Sequence, residues 1–418
     1  MLCAVVALVA AGCAGARPAL PTADPAALGL SPDKLAAIAP ALQAYVDSGK
    51  LGGVYAVIAR NGYIGYELTV GWQDVGERIP LERDAVFRIF SMTKPVIAAG
   101  AMKLIDQGRL SLDDPVSKYI PAFAGAKVFA GGSADAPVVR AADSVMTVRH
   151  LLTHTAGVPY GLTREPADSI FTRAQLYNAA STLAEFADSI AKLPLLFTPG
   201  TRWSYSSSLE IVGRIIEVVS GQPLDRFMKQ ELFEPLGMKD TSFRLDEDVD
   251  EDKVVVLYER GPDGRLTVLR GGLLDMYEPE ARFYWASGGL LSTPDDYLRF
   301  AQMLLNGGEL NGARVLSRES VAAMTSSQVA EPLLPHPRTT LIDEGYGFGL
   351  AGSVLVDASR TRMPGAAGIY RWSGYVGTYF WIDPHNQLIG MVWTQHNPGR
   401  LYPLEAEFQR LVYDALSR

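Results

Sequence analysis

Val86-Phe87-Arg88-Ile89-Phe90-Ser91-Met92-Thr93-Lys94 is the stretch on which the reading of this chain turns. The apolar run at residues 86–90 predicts a strand. The segment after Lys94, from Pro95 to Leu104, predicts a helix. Residues three apart on a helix share a face, so a serine at the helix start and a lysine one turn on are expected to meet. That arrangement offers a way to deprotonate a serine hydroxyl without a histidine.

The spacing alone does not single out Ser91. Ser31-Pro32-Asp33-Lys34 and Ser189-Ile190-Ala191-Lys192 repeat it. Ser31 reads as a helix N-cap followed by proline at the first helical position. Ser189 and Lys192 read as the solvated side of an amphipathic helix. What distinguishes Ser91 is the strand before it, the helix after it and partners further along the chain.

Outward from this centre, the pattern is strand-rich at both ends. Residues 33–48 have helical periodicity. Residues 53–59 and 63–70 read as two strands joined by a tight Asn61-Gly62 turn. Strand signals return at 346–356, 368–373, 377–383 and 388–395, and residues 404–416 read as an amphipathic helix. Between them, helices and turns dominate. The expected fold is therefore α/β (α+β): an antiparallel sheet built from both ends of the chain, flanked by helices, with a mainly helical lobe inserted. Residues 28–110 and 286–418 are assigned to the sheet lobe and 111–285 to the helical lobe.

Composition sets outer limits. The 418 residues carry a net charge of −8, which gives no support to nucleic-acid binding. Cys3 and Cys13 are the only cysteines, so disulfides and thiolate metal sites are excluded from the rest of the sequence. Residues 1–13 read as a short secretory-type apolar segment, and Ala10-Ala11-Gly12-Cys13 as a lipoprotein-type processing site with Cys13 as the lipid anchor. Residues 14–27 are expected to form a linker. The expectation is a periplasmic protein or an outer-membrane lipoprotein, with no span of its own, a cytoplasmic protein being the alternative.

Three motifs carry a resemblance. They are Ser91-Met92-Thr93-Lys94, Tyr205-Ser206-Ser207 after the Pro199-Gly200 turn, and Trp372-Ser373-Gly374 on a late strand. Their order and spacing resemble the serine β-lactamase and penicillin-binding superfamily, and most nearly the family VIII carboxylesterases, over residues 28–415. The stretches at 151–157, 234–238 and 287–293 support it. The resemblance implies Ser91 as nucleophile, Lys94 and Tyr205 as a coupled base, and an oxyanion hole from the backbone N–H groups of Ser91 and Tyr375. It places Ser207, Trp372, Ser373 and Gly374 against the substrate. No metal and no other cofactor is expected.

Free lysine and tyrosine titrate near ~10.4 and ~10, too high for a base at neutral pH. Burial lowers a lysine, and a neighbouring cation lowers a tyrosine. The third motif departs from the family pattern. Where β-lactamases and D-peptidases place Lys-Thr-Gly, this sequence has the neutral Trp372. The second motif has Ser207 where asparagine is usual. Both changes remove grip on a carboxylated amide, so a small-molecule ester without charge is the expected substrate, with slow cephalosporin hydrolysis beside it. A β-lactamase, D-aminopeptidase, acyltransferase or non-catalytic penicillin-binding module is the alternative. His154 reads as part of a structural turn, since no Gly-x-Ser-x-Gly elbow accompanies it.

Overall fold

A computed structural model describes residues 19–163, 165–245, 249–335 and 341–417. Its centre is an eight-stranded sheet. The strands are β1 (Gly53–Arg60), β2 (Tyr63–Asp74), β3 (Ile79–Pro80), β4 (Tyr346–Phe348), β5 (Ser353–Leu355), β6 (Tyr370–Ser373), β7 (Thr378–Asp383) and β8 (Leu388–Trp393). The spatial order is β4-β5-β6-β7-β8-β1-β2-β3, with every pairing antiparallel. β1 lies between its hairpin partner β2 and the distant β8, with Tyr55 opposite Trp393. The sheet is thus closed by both ends of the chain, as the strand signals implied. Asn61 and Gly62 both have positive φ, +54° and +83°. That is the backbone of a two-residue type I′ turn, whose twist suits a hairpin.

Both faces of the central strands are covered, which is why β7 and β8 read as near-continuous apolar runs. Helices α1 (Ile38–Asp47), α2 (Thr93–Asp106), α3 (Ser208–Ser220), α4 (Pro294–Leu305) and α5 (Leu404–Ala415) surround the sheet and the site. Alternation along β7 sends Phe380 to one face, where it meets Tyr297 of α4 with ring centroids 5.0 Å apart. Its neighbour Trp381 goes to the other face and meets Phe408 of α5 at 5.8 Å. Gly390 sits opposite Trp381, and a Cβ there would lie 2.1 Å from the indole. Glycine is required so that the ring can cross its neighbour strand.

Several expectations are corrected. The strand at 86–90 is only Phe87–Arg88, paired with Leu291–Ser292, because the chain turns sharply at Phe90. The run at 346–356 is two short strands, β4 and β5, broken by a turn with Ala351 at φ +57°. Residues 1–18, and with them the processing site at Cys13, lie outside the described residues. The rest of the expected linker is docked: Ala19 and Leu20 are buried, Ala23 N donates to Ile64 O and Ile64 N to Pro21 O. These exchanges satisfy the backbone along β2, which a free linker would leave to water.

The inserted segment is helical in the main but not throughout. It holds a hairpin, Lys127–Gly132 with Pro137–Ala141. Near its end, Tyr258–Arg260 pairs in parallel with His396–Asn397, and Val254 bridges Val86. The chain has therefore rejoined the sheet lobe well before residue 285.

Candidate active site

Ser91 sits in a single helical turn, Phe90–Met92, that leads directly into α2. Phe90 has φ +43°, a left-handed conformation that costs a bulky residue roughly 1–3 kcal/mol. Surrounding packing holds it there. Its ring lies 5.6 Å from Trp285 and 6.0 Å from Tyr277. Hydrogen bonds fix the turn on either side: Tyr297 Oη donates to Met92 O at 3.0 Å, and Leu290 N to Thr93 Oγ1 at 3.1 Å.

α2 is apolar on all sides and buried for most of its length, which takes Lys94 out of water entirely. Its ammonium nitrogen reaches Ser91 Oγ at 3.2 Å and donates to Ser287 O at 2.7 Å. It lies 4.7 Å from the centre of the Tyr205 ring and 5.6 Å from that of Tyr160. Tyr205 Oη donates to Ser91 Oγ at 2.9 Å. The structure thus brings Ser91, Lys94 and Tyr205 into one contact set. Burial pushes the Lys94 amine down to about 7, partly offset by the Glu210 carboxylate. The Tyr205 phenol goes the other way, well above its usual value, because it too is removed from water. The expectation that a neighbouring cation lowers Tyr205 is therefore corrected: burial outweighs it, and the phenol keeps its proton. Lys103 lies elsewhere, with Nζ donating to Val315 O at 3.2 Å and facing Glu231.

The third motif approaches from β6. A Cβ on Gly374 would fall 2.4 Å from Ile89 O and 2.2 Å from Thr378 Oγ1, so only glycine lets this strand end lie against the residues before Ser91. Thr378 Oγ1 donates to Ile89 O at 3.2 Å and Gly374 N to Thr378 O at 2.7 Å, locking that approach. Tyr375 follows, with its side chain 59% exposed at the rim. Ser373 Oγ accepts from Arg400 Nη2 at 2.9 Å. Trp372 is buried between Tyr205 and Phe348, with ring centroids 5.7 and 5.5 Å away. It walls the second motif and does not project outward.

Ser207, expected against the substrate, is fully buried, and its hydroxyl donates to Pro159 O at 2.6 Å. Ser206 pairs with His154 Nδ1 at 2.8 Å. His154 is buried and held neutral by desolvation and by Lys94, and its described contacts are to Ser206 and surrounding rings. Tyr277, Phe283 and Trp285 are buried core residues, Tyr277 and Trp285 packing on Phe90 and Phe283 on Tyr177 and Phe186.

Sequence reasoning missed a layer behind the lysine. Ser287 supplies its carbonyl to Lys94, and its hydroxyl donates to Glu210 Oε1. Tyr177 Oη donates to the same oxygen at 2.9 Å, and Trp285 Nε1 donates to Ser287 Oγ at 3.0 Å. Glu210 is fully buried, and burial pushes its carboxyl up from the ordinary range while Lys94 opposes that shift. The readable signal was a lone carboxylate inside the apolar helix Ser208-Leu209-Glu210-Ile211-Val212. Among the described residues, no helix is long and apolar enough to cross a membrane, and no group of three or more His, Cys, Asp or Glu is placed to hold a metal.

The beta-lactamase family profile matches residues 38–414. Esterase EstB of Burkholderia gladioli is 30% identical over 385 residues, spanning 86% of this chain and 90% of EstB. Penicillin-binding protein 4 of Amycolatopsis lactamdurans is 33% identical over 345 residues, spanning 78% of this chain and 82% of its own. Among solved structures, EstCE1, a hydrolase with promiscuous acyltransferase activity, superposes with a TM-score of 0.79 at 26% identity, over 91% of this chain and 99% of EstCE1.

Proposed function

The chain belongs to the beta-lactamase family, and on that premise we propose that it hydrolyses short-chain carboxylic esters through an acyl-enzyme on Ser91. The observation that carries the reading is the convergence of Lys94 Nζ and Tyr205 Oη on Ser91 Oγ, with burial pushing the lysine down to about 7, so that a large share of it is unprotonated at neutral pH.

In this mechanism neutral Lys94 takes the Ser91 proton as Oγ bonds to the acyl carbon. The backbone N–H groups of Ser91 and Tyr375 receive the developing oxyanion. The first belongs to a helical turn's free N–H groups, and the close approach of Gly374 brings the second near. The C–O bond to the alcohol then breaks, and the lysine's proton goes to the departing oxygen, with protonated Tyr205 as the adjacent donor. In deacylation a water gives its proton to Lys94, its oxygen adds to the acyl carbon, and the proton returns to Ser91 Oγ as the acid leaves. Each proton taken up is released within one turnover.

The substrate class follows from Trp372. Its indole fills the place of the family's cationic residue, so nothing at that position attracts a carboxylate. Neutral esters are favoured over penicillins and cephalosporins, with slow cephalosporin turnover as a side activity. An exported protein anchored through Cys13 remains part of the proposal.

Rates on p-nitrophenyl butyrate and nitrocefin test it side by side. A higher specificity constant for the ester is expected. A higher one for nitrocefin would overturn the substrate assignment, and ester turnover that survives Ser91→Ala would overturn the mechanism.

A further inference from the structure

We propose that Glu210 is a positioning residue for this chemistry, which keeps Lys94 basic by holding a carboxylate behind it across Ser287. The inference rests on the Ser91 mechanism above, but it concerns a residue that mechanism does not use.

The geometry is a relay with one shared residue. Ser287 presents its backbone carbonyl to Lys94 Nζ at 2.7 Å and its hydroxyl to Glu210 Oε1. Tyr177 Oη closes on the same carboxylate oxygen, and Trp285 Nε1 secures the Ser287 hydroxyl from the other side. Oε2 of Glu210 is buried without a hydrogen-bond partner. A carboxylate kept only to satisfy neighbouring donors would not leave half of itself desolvated and unpaired inside a core. Its charge becomes intelligible once it acts on a cation, and Lys94 is the cation that opposes its upward shift.

The other titratable groups facing Glu210 are Tyr177, Tyr160 and, through its phenol, Tyr205. All three are pushed up by burial and stay neutral. Lys94 therefore feels two opposed influences, burial favouring the neutral amine and Glu210 favouring the ammonium. A lysine governed by burial alone would shed its proton readily but accept one from Ser91 poorly. Glu210 restores that capacity while Lys94 remains neutral enough to start the reaction.

Glu210→Gln tests this through the pH profile of kcat/KM for p-nitrophenyl butyrate. Without the charge Lys94 loses its proton more easily, so the acid limb moves to lower pH, by about one unit. The plateau kcat falls about tenfold because the base is weaker. A fall in activity with the acid limb unmoved would overturn the proposal and make Glu210 a packing residue.

Tyr177→Phe covers the case in which Glu210→Gln fails to fold. Removing one donor to the carboxylate weakens its charged form, so the limb should move in the same direction by less. An unmoved limb in this variant would likewise overturn the proposal. Ser91→Ala, run beside them, separates the two readings: if it keeps ester turnover, the hydrolase mechanism fails. If it is inactive while the limb stays fixed in the other variants, only the role of Glu210 fails.

Discussion

The two sides of Ser91 are built to opposite rules. Behind it, Lys94 and Glu210 are fully buried and joined through Ser287 in a dry layer of hydrogen bonds and aromatic rings. In front, Gly374 brings a strand end close, and the next residue, Tyr375, stands largely in solvent. The rear side changes acid–base chemistry by excluding water. The front side leaves Ser91 next to an exposed rim. On the proposed mechanism, the first side is what activates a serine without a histidine, and the second is what an incoming acyl group meets.

Breaking the rear side should have the largest effect. Lys94→Met is expected to lower kcat/KM for p-nitrophenyl butyrate about a thousandfold. In the native enzyme the same constant should rise as pH climbs through about 7, where Lys94 loses its proton. Stopped assays from pH 5 to 9 would show both. Retention of activity within tenfold of the native enzyme would mean that Lys94 is not the base.

The front side comes next. Gly374→Ala places a methyl 2.4 Å from Ile89 O and forces the strand end away. Loss of one oxyanion donor predicts a fall in kcat of about a hundredfold with little change in KM. A variant altered only in KM would indicate that this strand end binds substrate and does no more.

Trp372 sits where the two sides meet, so its removal distinguishes packing from chemistry. Trp372→Ala should destabilise the fold by about 3–5 kcal/mol, measured by denaturant midpoint. The Tyr205 ring loses its wall, and kcat should drop about tenfold. Faster nitrocefin turnover in this variant would show that bulk at 372, and not the missing cation, sets the substrate preference.

A change in the carboxylate contacts at the start of α4 should act mainly on stability. Asp296, in the first turn of α4, accepts from Asp240 N at 2.8 Å and Thr241 Oγ1 at 2.9 Å, and burial raises its carboxyl to about 7. The folded state thus holds a proton that the unfolded chain releases near ~4, so this residue's contribution to stability falls as pH rises from about 4 to 7. Asp296→Asn should melt about 2–4 °C higher at pH 8, with the gain vanishing toward pH 4 and ester turnover unchanged. An equal gain at both pH values would refute the titration argument.

Legibility in the sequence followed the same division. Local signals read correctly: the Asn61-Gly62 turn, the strands of β6 to β8 and the extent of α5 all rest on short-range periodicity and turn chemistry. The meeting of Ser91 with Lys94 and Tyr205 also had a pattern to carry it. Tertiary satisfaction of polar groups had none. Nothing local announces that Ser287 lends its carbonyl to Lys94, since a backbone acceptor has no residue signature. Ser207 was expected against the substrate from its place in the second motif, and nothing local announces that its hydroxyl donates to the carbonyl of Pro159. The early strand failed at Phe90 because a left-handed bulky residue is imposed by packing and opposed by local preference.

The pairing of β1 with β8 sets a schedule for the chain as it is made. Residues 53–60 stay without one of their two neighbours until residues 388–393 have been synthesised. The same holds for the strand end that lies against the residues before Ser91, which arrives with Gly374 and Tyr375. Contacts this distant in sequence form late and slowly. On the proposed mechanism, a nascent chain carries Ser91 and Lys94 for most of its synthesis as an inert pair, and gains the capacity to attack an ester only when its last strands dock.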